Sequence, residues 1–169
     1  LAAQSLDGHV IGVSGMGTVD WQVDRAFFYA SGIPGDTPYF NSGVLLIDAD
    51  RWRQQATTEK CLSIATSYAS KLLAFDQTIL NFHFCKQAKV LEPHYNTLLF
   101  PQSARIEEPL PAIYHFLGRP KPWDFLAEFT NPNYHLFKET LSKTHFANYR
   151  SYVRFGAREA KAAARLARD

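Results

Sequence analysis

The run 113–123, IYHFLGRPKPW, gathers an imidazole, a glycine and an ammonium group into one short stretch. His115 can bind a metal or carry a proton, Gly118 lets a ligand come close to the backbone, and Lys121 suits a phosphate. A core histidine followed by a proline-stiffened loop fits the same letters. A second stretch, YFNSGVLLIDADRWR at 39–53, places Asn41, Ser42 and Gly43 ahead of an apolar run. They offer a ligand an amide, a hydroxyl and a backbone without Cβ. Its plain alternative is a core strand with a polar turn. Asp76 stands just before a segment of helical period, where a carboxylate can serve a ligand or cap the helix.

The elements that must position these groups can be read from periodicity. Val44 to Ile47 is a continuous apolar run, the pattern of a strand covered on both faces. Shorter strands are expected at 10–13, 90–91 and 112–116, and Pro93 ends the second of these. Helical spacing is expected at 23–30, and also from Thr57 or Thr58, as cap, to Leu72, with Cys61, Ile64, Ala65, Tyr68 and Leu72 on one face. Ile79, Leu80, Phe82 and Phe84 form another apolar periodic segment. The stretches 101–111 and 118–123 hold too many prolines and glycines for regular structure. From Pro132 onward the chain reads as mostly helical. Short strands alternating with helices indicate an α/β fold, in which ligands bind where loops leave the carboxyl ends of strands.

Composition sets the bounds. The chain has 169 residues, nearly half of them apolar, with 13 Phe, 8 Tyr and 3 Trp, which suits one packed domain and argues against disorder. No apolar run reaches the ~20 residues of a membrane-spanning helix, and the first residues lack the pattern of a signal peptide. Cys61 and Cys85 have no metal-ligand spacing and read as buried thiols of a reducing compartment. Six of the basic residues (Arg150, Arg154, Arg158, Lys161, Arg165, Arg168) lie in the last twenty positions, so the tail is basic while the body is nearly neutral.

Taken together and in this order, YFNSGVLLIDADRWR, FDQTILN at 75–81 and IYHFLGRPKPW resemble glycosyltransferase family 8, which includes bacterial lipopolysaccharide glucosyl- and galactosyltransferases and glycogenin-like enzymes. The resemblance covers most of 6–123. It implies a GT-A-type nucleotide-diphospho-sugar transferase fold and retaining transfer of glucose or galactose from a UDP-sugar to a glycan or lipid-linked saccharide acceptor. It further implies dependence on Mn2+ or Mg2+, with His115 as a metal ligand, Gly118 and Lys121 at the UDP phosphates, and Asn41, Ser42 and Gly43 at the donor sugar. Asp76 and Gln77 match the catalytic pair beside the anomeric carbon. Asp76 would accept from sugar hydroxyls, and the Gln77 amide would act as a dipole rather than a base.

The family's Asp-x-Asp metal pair ends an earlier strand. Asp48-Ala49-Asp50 follows the FNSG loop instead, and is therefore read as a strand end and helix start. On this reading the true pair and the early nucleotide-binding region are expected upstream of Leu1, residues 1–130 are the later part of a transferase domain, and 131–169 is a helical basic tail. That fragment alone is expected to be inactive.

The tail's basic residues recur at spacings of three and four, one stripe of an alanine-rich helix. The stripe suits peripheral contact with an anionic membrane on the cytoplasmic inner face, where lipid-linked glycans are built. A solvated helix end suits it equally. No recognised motif supports nucleic-acid binding. Two other readings stay open: a catalytically silent sugar- or nucleotide-binding remnant of the same fold, and a membrane-surface adaptor working through the tail.

Overall fold

The computed structural model describes residues 1–124 and 127–148, apart from the Met16 side chain. They form two compact units, Leu1–Asn96 and a second that begins at Thr97.

The first unit is built on β1 (Ile11–Val13), whose residues are all buried. It is the middle strand of a three-stranded ladder, antiparallel to β4 (Leu45–Ile47) and parallel to β5 (Lys89–Val90). Two leucine side chains close in on Gly12. A Cβ would lie 2.7 Å from Leu6 Cδ2 and 3.0 Å from Leu91 Cδ1. The expectation that 44–47 is covered on both faces does not hold: β4 is half-buried and Ile47 is 44% exposed. Within this ladder β4 pairs on one side only, with β1, so an apolar run can mark an edge as well as a centre. A separate antiparallel pair, β2 (Met16–Thr18) and β3 (Pro38–Phe40), lies where no strand is expected from the sequence. Between its strands runs α1 (Arg25–Ala30).

Two apolar clusters fix the last helix of this unit, α4 (Asp76–His83). Leu80 and the following Phe84 join Val10, Ile11, Val13 and Phe40. Ile79 and Phe82 pack instead against the cluster of Val19, Phe27, Phe28, Tyr39 and Leu72. Phe27 meets Tyr68 and Phe82 with ring centroids 5.2 and 5.1 Å apart. Each buried large apolar side chain contributes about 1.5–3 kcal/mol, so α4 is held from both sides and its first turn is fixed in place.

Asp48 caps α2 (Ala49–Gln54), its Oδ1 accepting from the backbone N–H of Asp50 and Arg51 at 3.1 and 2.9 Å. Arg51 pairs with Asp48, and Arg53 with Asp50. The strand-end and helix-start reading of this pair is therefore what the structure has. The threonine cap expected for α3 (Thr57–Tyr68) is absent. Left-handed Ala56 precedes that helix, and the Thr58 hydroxyl accepts from Trp52 Nε1 at 2.9 Å instead. Cys61 and Cys85 are free and only half-buried, and burial pushes the Cys61 thiol up. Cys85 lies in the turn after α4.

The second unit pairs β6 (Thr97–Leu99) in parallel with β7 (Tyr114–Phe116), Leu98 standing opposite His115. The intervening proline-rich loop is pinned by buried Asn133, which accepts from Ile106 N–H at 2.9 Å and donates to the Ala104 carbonyl at 3.0 Å. Two helices follow, α5 (Ala127–Thr130) and α6 (Tyr134–Ser142). Past Ser142 the described chain turns rather than continuing as helix. The basic stripe from Arg150 lies outside the described residues. No described helix is long and apolar enough to cross a membrane.

Candidate functional site

Five of the sequence-derived residues meet in the first unit, where the loop after β3 lies against the start of α4. Gln77 Oε1 accepts from Asn41 Nδ2 and from the Ser42 backbone N–H, both at 3.1 Å. Ser42 Oγ donates to Asp76 Oδ2 at 3.0 Å. Gly43 N–H donates to Asn41 Oδ1 at 2.9 Å, which folds the loop tightly. Asp76 is thus not the cap of its helix. Phe75 holds the cap position at φ 50°, without any side-chain cap bond, and the Asp76 carboxylate turns to Ser42.

The amide orientations in this cluster follow from backbone partners. A backbone N–H can only donate, so Ser42 N requires Gln77 to present its oxygen, and Gly43 N requires the same of Asn41. Asn96, which is buried, donates to that Asn41 oxygen at 3.1 Å and to the Ser14 carbonyl at 3.4 Å. Asn81 is tied to both backbone groups of Phe40, accepting from its N–H and donating to its C=O, each at 2.8 Å. The loop is therefore keyed to the helix through fixed amides, and little freedom remains for Gln77.

Deeper in, Gln77 Nε2 donates to the Tyr39 hydroxyl at 3.4 Å, and that hydroxyl donates to Asp24 Oδ2 at 3.1 Å. Thr78 Oγ1 donates to the same oxygen at 2.5 Å. Burial, the largest cause, holds the Tyr39 phenol far above its ordinary range, so it stays a neutral donor. Sequence reasoning passed over Asp24, Tyr39, Thr78, Asn81 and Asn96. Asp24 was legible as a carboxylate three and four residues ahead of Phe27 and Phe28, on their helical face. Asn81 lies four residues after Gln77 on the same face. Nothing in the sequence marks Asn96, since its partners are more than fifty residues away.

The remaining sequence-derived residues belong to the second unit. His115 sits in the middle of β7, half-buried, and burial followed by the Lys121 charge lowers its pKa below the ordinary imidazole value. The neutral ring, with a lone pair, is therefore favoured. Gly118 has φ +66°, and a Cβ there would come 3.3 Å from Pro101 Cδ. The ammonium of Lys121 donates to the Phe116 carbonyl and lies 5.9 Å from the Trp123 ring centre. Asp124 Oδ2 accepts from the Lys121 backbone N–H at 2.8 Å and lies 3.7 Å from Arg119. These contacts order the turn that the prolines imply. Among the described residues, no three His, Cys, Asp or Glu side chains group so as to hold a metal ion. Among the described residues His115 therefore belongs to no such group.

The chain matches the family model described as Glycosyl transferase family 8 over residues 3–127. It is 34% identical over 101 residues to General stress protein A of Bacillus subtilis (strain 168), which covers 51% of this chain and 35% of that protein. Lipopolysaccharide 1,2-glucosyltransferase of Escherichia coli is 33% identical over 109 residues, covering 57% of this chain and 32% of that protein. Among solved structures, the galactosyltransferase LgtC in complex with donor and acceptor sugar analogs superposes with a TM-score of 0.61 over 93% of this chain and 58% of that one, at 22% identity. That likeness is one of fold, the GT-A type. The chain spans about a third of the length of these two curated relatives.

Proposed function

We propose that this chain, which belongs to glycosyl transferase family 8, takes part in retaining transfer of glucose or galactose from a UDP-sugar to a cell-surface glycan or lipid-linked saccharide such as lipopolysaccharide. The observation that carries the proposal is the joined set Asn41, Ser42, Asp76 and Gln77, in which two loop residues and the first turn of α4 are bonded into one polar surface. Asp76 Oδ1 has no protein partner among the described residues, so it is open to sugar hydroxyls while Oδ2 is held by Ser42. Such a carboxylate suits hexose binding because ring hydroxyls are strong donors to an anion. The name of the Escherichia coli relative supports a saccharide acceptor of the cell surface.

In the second unit, Lys121 suits the diphosphate once its ammonium leaves the Phe116 carbonyl, and Gly118 leaves backbone room beside it. A divalent ion, Mn2+ or Mg2+, is part of the proposal on the strength of the family and of His115. Bound there, it would offset charge on the leaving diphosphate. Cytoplasmic placement and peripheral membrane contact through residues 150–169 are also proposed; sedimentation with anionic vesicles should be lost when that segment is removed.

The test uses the full-length protein, radiolabelled UDP-glucose and UDP-galactose, and a lipopolysaccharide-core acceptor. Label should pass to the acceptor with the anomeric configuration kept, and EDTA or His115→Ala should stop it. Absence of transfer from either donor would overturn the proposal, and undiminished turnover of the His115→Ala protein would remove the metal-ligand assignment.

A further inference from the structure

Asp24 is 1% exposed and enters none of the described ion pairs. Its Oδ2 accepts hydrogen bonds from the Tyr39 and Thr78 hydroxyls, while its Oδ1 is buried with no hydrogen-bond partner. A carboxylate shut away without a cation and with one oxygen unsatisfied is an unfavourable thing to bury. Holding α1 to α4 does not need it, because Phe27 and Phe28 already join Phe82 by ring contacts.

What the carboxylate does set is a direction. The Tyr39 hydroxyl has one proton, and it is donated in the hydrogen bond to Asp24. The phenol oxygen then faces Gln77 Nε2 with a lone pair and can only accept. At the other end of the same amide, Asn41 Nδ2 and Ser42 N–H fix the oxygen. Chained hydrogen bonds of one sense polarise and rigidify each other.

We propose that Asp24 and Tyr39 are positioning residues that act through Gln77, clamping its amide from behind so that the Asn41-Ser42 loop and the Asp76 turn keep one geometry during glycosyl transfer. The proposal rests on the reading of Gln77 as lying beside the donor sugar. It concerns residues outside that reading: neither Asp24 nor Tyr39 needs to touch the substrate.

Tyr39→Phe tests it in the full-length protein. The ring and its edge contact with Phe28 remain, as does the Thr78 bond to Asp24, while the two hydroxyl links, to Gln77 and to Asp24, are cut together. Turnover should fall about tenfold, with KM for the UDP-hexose changed by less than about twofold and Tm lower by about 2–4 °C. Asp24→Asn keeps an acceptor oxygen toward Tyr39 and should retain most of the turnover that Asp24→Ala loses. The decisive readout is coupling: Tyr39→Phe should add nothing to the loss already caused by Gln77→Ala. A merely structural role would multiply the two losses, and would overturn the proposal, as would Tyr39→Phe turnover within about twofold of the parent.

A readout that needs no turnover separates this proposal from the one it rests on. The side-chain amide protons of Gln77, followed by 15N NMR, should exchange slowly in the parent and fast in Tyr39→Phe. If the parent transfers no hexose, the donor-site reading falls while the exchange result still decides the clamp. Unchanged exchange in Tyr39→Phe would sink the clamp whatever the activity.

Discussion

In the first unit Asn41, Ser42 and Gln77 hold one another through amides oriented by backbone N–H groups, and the Asp76 carboxylate joins them through the Ser42 hydroxyl; in the second the candidate residues are held by charge and by a proline-stiffened turn. Asn41, Ser42 and Gln77 have no freedom to choose partners, because Ser42 N–H and Gly43 N–H dictate which amide atom faces them. His115, Lys121, Arg119 and Asp124 interact through charges whose strength depends on pH and salt. Under the proposed function the difference would separate two tasks. A surface that must recognise hydroxyl geometry benefits from fixed neutral dipoles, and one that must meet a diphosphate benefits from a cation able to move onto it.

The contrast is broken most severely by removing a member of the amide network. Asn81→Ala deletes the acceptor for Phe40 N–H and the donor to Phe40 C=O, both in a buried strand. Two orphaned backbone groups cost about 3 kcal/mol, so Tm should fall by about 10 °C. Differential scanning calorimetry checks this, and a fall below about 3 °C would mean that the network is decorative. Gly118→Ala strikes the second unit. It forces a side chain into a left-handed backbone and to 3.3 Å from Pro101 Cδ, which costs about 1–2 kcal/mol and lowers Tm by about 5 °C. A larger loss here than in Asn81→Ala would reverse the comparison and make the turn the more rigid of the two.

Much of this division could be read from residue order. Helices α3 and α4 were visible because their apolar residues recur at helical spacing, and the ordered turn at 118–123 because prolines and glycines admit nothing else. The pairing of Asn41 and Ser42 with Asp76 and Gln77 came from a resemblance, not from periodicity; no local rule links residues 35 positions apart. Three kinds of feature escaped. Strands β2, β3 and β6 are three residues each, too short to establish an alternation. The covering of β4 was overstated because an apolar run does not report how many neighbours a strand has. The Asp24–Tyr39 link escaped because burial of a carboxylate is decided by what packs over it, and α4 arrives some fifty residues later in the chain.

The smallest expected effect is also the one that tests the charge side of the comparison directly. Burial and the nearby Lys121 depress the His115 pKa below its ordinary 6.5. As pH falls through that value the unfolded chain takes up the proton first, and a state that binds more protons gains on acidification. Stability should therefore decline from pH 7 toward pH 5, levelling once the folded-state imidazole also protonates. His83 is depressed in the same sense by burial and Lys60, so the slope has one contributor in each unit. Melting curves of His115→Gln and His83→Gln across this range apportion it. Each variant should flatten part of the slope, by less than the Gly118→Ala shift. A slope carried wholly by His83 would place the pH response in the first unit, and the neutral-against-charged contrast would then describe the hydrogen bonds but not the titration.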